Sequence, residues 1–72
     1  MDKYNKIDTG RCIRRAMGFH EIRTDELADK MQISRQSVYL WKRSKDMSIN
    51  RLAEIADEIG CDVHELIRMG EA

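Results

Sequence analysis

Arg35 and Gln36 stand side by side directly after Ser34, in the stretch Ser-Arg-Gln-Ser-Val-Tyr-Leu-Trp-Lys-Arg-Ser that runs from 34 to 44. These two side-chain types are the best suited to base edges in a major groove: a guanidinium bonds bidentately to guanine and a carboxamide to adenine. The chemistry requires them on the exposed face of a short, rigid element, and the spacing supplies a helix. Ser34 is a good N-cap, because its hydroxyl can accept from an amide of the first turn that has no helical partner. Val38 and Trp41, three apart, share a face suited to a core. Arg35, Gln36, Tyr39 and Arg43 fall opposite. In isolation such a window reads more readily as a solvated polar face, and it is the neighbouring segments that change the reading.

Upstream, Thr24 to Lys30 predicts a second short helix with Leu27, Ala28 and Met31 on one face. Asp25 and Glu26 in its first turn suit the positive end of the helix dipole. Only Gln32 and Ile33 lie between this helix and the Ser34 cap. So tight a turn imposes a sharp angle, and the small Ala28 allows close approach where the helices cross. Two short helices, a tight turn and a polar outer face on the second make a helix-turn-helix.

The remaining pattern predicts five helices in all. The first spans about residues 9 to 19, with Ile13, Ala16 and Met17 inward and Arg11, Arg14 and Arg15 mostly outward. A fourth starts from a Ser48 cap and carries Leu52, Ile55, Ala56 and Ile59 at helical spacing, with Gly60 ending it. The fifth opens at Asp62, with Glu65 three residues on as in a capping box, and buries Val63, Leu66 and Ile67. Residues 1–8 are expected to form a mobile arm and 70–72 a frayed end, leaving 9–69 as one domain.

Seventy-two residues without proline and with four glycines fit helices joined by short turns. A domain this small buries only ~60% of its unfolded surface and is marginally stable. No apolar run reaches membrane-spanning length and no signal peptide opens the chain, so a cytoplasmic protein without membrane association is expected. Cys12 and Cys61 are too few for a disulfide framework and read as reduced thiols. The net charge of zero divides unevenly. Residues 1–45 hold eleven Lys/Arg against six Asp/Glu, and residues 46–72 hold two against seven. Phosphate contact needs positive charge only locally, and the basic half contains the motif. The acidic half points away from DNA or toward a protein partner.

The chain resembles the lambdoid phage repressor and Cro family of helix-turn-helix proteins, also called the XRE family. The resemblance rests on Glu26-Leu27-Ala28 with Ile33-Ser34-Arg35-Gln36-Ser37-Val38 and Trp41. A second block is Leu52-Ala53-Glu54-Ile55-Ala56, followed by Ile59-Gly60-Cys61-Asp62-Val63 and Glu65-Leu66. It extends from about residue 10 to 67 without insertion. It implies an all-α, five-helix DNA-binding domain of the lambda-repressor-like type, acting as a transcriptional regulator, most often a repressor, that binds double-stranded DNA as a homodimer. By that resemblance Arg35 and Gln36 occupy the base-reading positions. Tyr39, one turn on, touches a base edge or stacks on sugar, and Leu40 meets a thymine methyl or fills the core edge. Thr24 matches a position that often carries a phosphate-contacting glutamine, and its hydroxyl with the helix dipole suits a phosphate. Ser37 serves the backbone or is merely small for packing, while Lys42, Arg43 and Lys45 are expected at phosphate. A dimer surface is expected around Met47, Ile49 and the fifth helix, including Met69.

Three positions depart from the family pattern. Its arginine of the first helix and glutamate late in the third are Met17 and Lys42 here, so both ends of an ion pair are replaced together. Its glycine after that glutamate is Ser44, and its glycine before the second helix is Glu21, which leaves the end of the first helix open. Other chemistry finds little support. Cys61 and His64, with Cys12 and His20, lack the close Cys-x-x-Cys spacing of a structural zinc site. No glycine-rich phosphate loop occurs and no nucleophile is spaced to meet a base, so no enzyme, metal, cofactor or small-molecule effector is expected. Trp41, at core spacing, is expected to be buried. The rival reading is a protein-binding module, such as an antitoxin, that uses the acidic fourth and fifth helices.

Overall fold

The computed structural model describes residues 7–71. Among them are five α-helices and no strand: α1 (Thr9–Phe19), α2 (Thr24–Met31), α3 (Arg35–Arg43), α4 (Ile49–Ile59) and α5 (Val63–Glu71). The all-α, five-helix domain is the one the apolar periodicity predicts, with α2 and α3 forming the helix-turn-helix.

Each helix contributes its apolar stripe to one core. Ile13, Ala16 and Met17 of α1 meet Leu27 and Ala28 of α2, Val38 of α3, Leu52, Ile55, Ala56 and Ile59 of α4, and Leu66 of α5. Burying a side chain such as Leu27 or Ile55 contributes about 1.5–3 kcal/mol, so the stripes dominate the energetics of so small a fold. α1 packs most extensively against α5 and next against α3, while α2 rests on α3 and α4. α3 is therefore held from both sides, by α1 and by α2. Cys12 is part of this core, where burial pushes its thiol pKa up and leaves it a small apolar side chain.

The helix starts follow their caps. Ser34 Oγ accepts from Ser37 N at 3.3 Å, and Ser48 Oγ accepts from Arg51 N at 3.3 Å. Asp62 and Glu65 form the reciprocal box, with Glu65 N donating to Asp62 Oδ1 at 2.9 Å and Asp62 N to Glu65 Oε1 at 3.2 Å. At both ends the described residues extend the fold. Of the arm at 1–8, residues 1–6 lie outside the described residues. Asp8 instead caps α1 by accepting from Arg11 N at 3.1 Å, and Ile7 packs on the core. At the other end α5 continues through Gly70 and Glu71. Gly70 lies so close to α1 that a Cβ there would sit 3.1 Å from Cys12 Cα. Trp41 is likewise not fully buried. One side packs on the core, and the Arg51 guanidinium covers the ring at 5.6 Å from its centroid.

Three helices end in the same left-handed turn. After α1, Glu21 (φ 56°) places Ile22 N on Met17 O at 2.8 Å and its own N on Gly18 O at 3.2 Å. After α2, Gln32 (φ 56°) places Ile33 N on Ala28 O at 3.0 Å and its own N on Asp29 O at 3.2 Å. After α4, Gly60 (φ 106°) does the same work with Cys61 N on Ala56 O at 3.0 Å. This is the Schellman closure, and it favours glycine because a Cβ strains the left-handed region. Glu21 thereby fixes the end of α1 without glycine. Gln32→Gly is expected to raise stability by up to about 1 kcal/mol, reduced somewhat by the freer unfolded chain. Thermal unfolding followed by circular dichroism should show a midpoint higher by several degrees, ~4–8 °C per kcal/mol. A lower midpoint would mean that the glutamine side chain contributes more than its backbone strain costs.

Candidate nucleic-acid interface

α3 presents one face to solvent from end to end. Arg35 and Gln36 are exposed in its first turn, Tyr39 and Leu40 follow at 50% and 59% exposure, and Arg43 is exposed at its end. Val38, on the opposite side, is fully buried and sets the helix's rotation. Leu40 therefore does not fill the core. It stands beside Tyr39 and Gln36 where an apolar group on a base could meet it. Gln36, Tyr39, Leu40, Lys42 and Arg43 line a shallow open groove whose remaining wall is Arg14 of α1. Arg35 lies outside that groove, at the N-terminal end of the same helix.

The C-terminal end of α3 is braced by its neighbours. Lys42 Nζ donates to Thr24 Oγ1 at 2.9 Å, so the cation sits at the first residue of α2, and it also lies 5.5 Å from the centroid of the Tyr39 ring. Thr24 and Lys42, expected separately at phosphate from the sequence, are thus in direct contact. The amide end of α2 is partly occupied by its own carboxylates. Glu26 Oε1 accepts from Arg23 N at 2.9 Å and Asp25 Oδ1 from Glu26 N at 3.0 Å. The Arg23 guanidinium, hydrogen-bonded to the exposed Asp25, holds that carboxyl below its usual range, so its charge persists. Attraction for an anion here thus depends on the Lys42 ammonium more than on the bare helix dipole.

The other expected phosphate residues divide. Arg43 shares the groove. Ser37 is half-buried and its Oγ pairs with Ser34 Oγ at 3.2 Å inside the cap, so its hydroxyl is engaged within the turn. Lys45 lies apart from the α3 groove and lines a second one with Asp46, Met47 and Ile49. That second groove brings together Met47 and Ile49, two of the residues assigned to a dimer surface, and Ile49 is 55% exposed. Met69 does not line it. It packs against the core, and its carbonyl accepts from Arg15 at 3.4 Å.

One residue of the site escaped the sequence reading. Arg14, expected to point outward from α1, donates from Nη1 to the carbonyl of Lys42. The signal available was a cation in the basic run 11–15 of the first helix, and nothing in the pattern names a backbone carbonyl as its partner.

Among the described residues no helix is long and apolar enough to cross a membrane, and no three His, Cys, Asp or Glu converge to hold a metal. Comparison with curated proteins and with solved structures gave no match. The family model described as the Cro/C1-type HTH DNA-binding domain matches residues 12–70. A match from the first helix to the last, on a fold whose second and third helices make the motif, means that the chain belongs to the Cro/C1-type helix-turn-helix DNA-binding domain family.

Proposed function

We propose that the protein is a sequence-specific transcriptional repressor that inserts α3 into the major groove and binds its operator as a two-fold homodimer. The observation that carries the reading is the exposed face Arg35, Gln36, Tyr39 and Leu40 on a helix capped at its start by Ser34 and held at its end by α1 and α2. A backbone already held in place loses little freedom on binding, which leaves more of the contact energy for discrimination. Arg35 reads guanine and Gln36 adenine, Tyr39 and Leu40 add contacts to sugar and thymine methyl, and Thr24, Lys42 and Arg43 hold the flanking phosphates. Lys45, on the second groove, and Ser37, engaged with Ser34, stand apart from this set. The proposed dimer surface centres on Ile49 and Met47, with Met69 peripheral to it. The proposed site of action is the cytoplasm, where the operator DNA is reached without crossing a membrane.

The test is selection of bound duplexes from a random library at fixed salt near physiological strength, with sedimentation of the complex formed on the selected duplex. The expected product is a palindrome with half-sites one helical turn apart, ~34–36 Å, occupied by two chains. Enrichment of a single unpaired half-site would remove the dimer. No enrichment at all would overturn sequence-specific reading and favour a protein partner on the acidic helices α4 and α5.

A further inference from the structure

We infer that Arg14 is a positioning residue for phosphate binding, acting through Lys42; the inference rests on the DNA-binding reading of the α2–α3 face. The last four carbonyls of a helix have no intrahelical partner. Here Leu40 O and Trp41 O accept from Ser44 N at 3.0 and 3.2 Å. Lys42 O is taken by Arg14 Nη1, across from α1. A cation at this end also opposes the negative pole of the helix dipole.

The consequence lies in which residue is pinned. The backbone of Lys42 is held by α1, while its ammonium reaches back to Thr24 Oγ1 at 2.9 Å and lies over the Tyr39 ring. Ser44, two residues on, has already left the helix, with φ −71° and ψ 148°. Without Arg14 the Lys42 carbonyl loses its side-chain donor, and the turn that carries it is held only through Ser44 O, by Gly10 N and Thr9 Oγ1, so the backbone at Lys42 loosens. The ammonium then loses its fixed place at the start of α2. A lysine is a flexible point charge whose ordering opposes binding, and Arg14 completes that ordering before DNA arrives. Arg14 itself has five donors, but the bond to Lys42 O sets its place at the back of the groove.

The experiment measures affinity of the full chain for the selected duplex against salt concentration, for wild type, Arg14→Met, Lys42→Met, the double variant and Arg14→Lys. Each variant's melting temperature is taken alongside. One phosphate contact contributes ~0.9 to the slope of log affinity on log salt. The expected result is that Arg14→Met and Lys42→Met each lower the slope by about one contact and weaken binding about tenfold at low salt, the loss for one charge-assisted bond. The double variant is then no worse than Lys42→Met, and Arg14→Lys recovers most of the loss. Additive losses in the double variant would make Arg14 an independent contact and overturn the inference. An unchanged slope in Arg14→Met, or a loss that merely follows a lowered melting temperature, would overturn it as well. Failure of the DNA reading is separate, since wild type would then show no duplex preference before any variant is compared.

Discussion

Gly10→Ala is expected to bring the domain close to unfolding, while Gly18→Ala, in the same helix, stabilises it. A Cβ on Gly10 would lie 2.6 Å from Ser44 O and 2.8 Å from Lys42 C, and closer still to Lys42 O. All of these are backbone atoms, so no side chain can swing aside. Shifting α1 away would break Gly10 N to Ser44 O at 2.7 Å, Thr9 Oγ1 to the same carbonyl at 3.3 Å, and Met47 N to Thr9 Oγ1 at 3.1 Å. Overpacking usually costs ~1–3 kcal/mol, and rigid neighbours put this case at the upper end or beyond. A domain of this length has only ~4–11 kcal/mol in total. At 3 kcal/mol the melting midpoint falls by ~12–24 °C. Gly18 is exposed with no atom within 4 Å of the added carbon, so alanine there gains helix propensity, up to ~1 kcal/mol. Paired thermal melts of the two variants check both signs. A Gly10→Ala midpoint equal to wild type would show that α1 does not seat the end of α3 as described.

That contact explains why the sequence revealed some features and concealed others. Helix starts were legible because a cap is local: Ser34, Ser48 and the Asp62–Glu65 pair each satisfy an amide within three residues, and the side chain names the partner. Gly60 was legible as a stop because glycine is the usual left-handed residue. Glu21 and Gln32 take the same conformation but carry no such mark, so spacing places the ends of α1 and α2 to within a residue while the left-handed turns that close them are visible only in the structure. Core faces were legible from periodicity, which tells the side of a helix but not the depth. Trp41 shares Val38's face yet is only half-buried, because α4 covers its outer ring face with a guanidinium rather than an apolar group. The contacts between α1 and α3 were the least legible. They end on the carbonyls of Lys42 and Ser44, and a carbonyl belongs to every residue alike. Of the proposed site, the exposure of Arg35, Gln36, Tyr39 and Arg43 followed from spacing, while that of Leu40 did not. The union of Thr24, Lys42 and Arg14 required three helices to be placed in space.

Arg35→Ala and Gln36→Ala are expected to weaken operator binding by about fivefold to a hundredfold or more per half-site, ~1–3 kcal/mol for each lost bidentate pair. In a two-fold complex each change occurs twice, so the loss on a full palindrome is larger than on one half-site. Neither residue supports the fold: both are exposed, and the core beneath them is filled by Val38. Melting temperatures should therefore remain near wild type, which separates this loss from that of Gly10→Ala. The more telling readout is the form of the loss. A base-reading side chain carries sequence information and a phosphate contact does not. Selection with Arg35→Ala should return a motif that has lost its preference at one position per half-site, a guanine, while the salt dependence stays as in wild type. Gln36→Ala should relax a different position, an adenine. Lys42→Met should do the opposite, keeping every position of the motif and lowering the salt dependence. If both reading variants returned the wild-type motif at reduced affinity, α3 would contact only backbone. Sequence preference would then have to come from the shape of the DNA, and the assignment of Arg35 and Gln36 to base edges would fall.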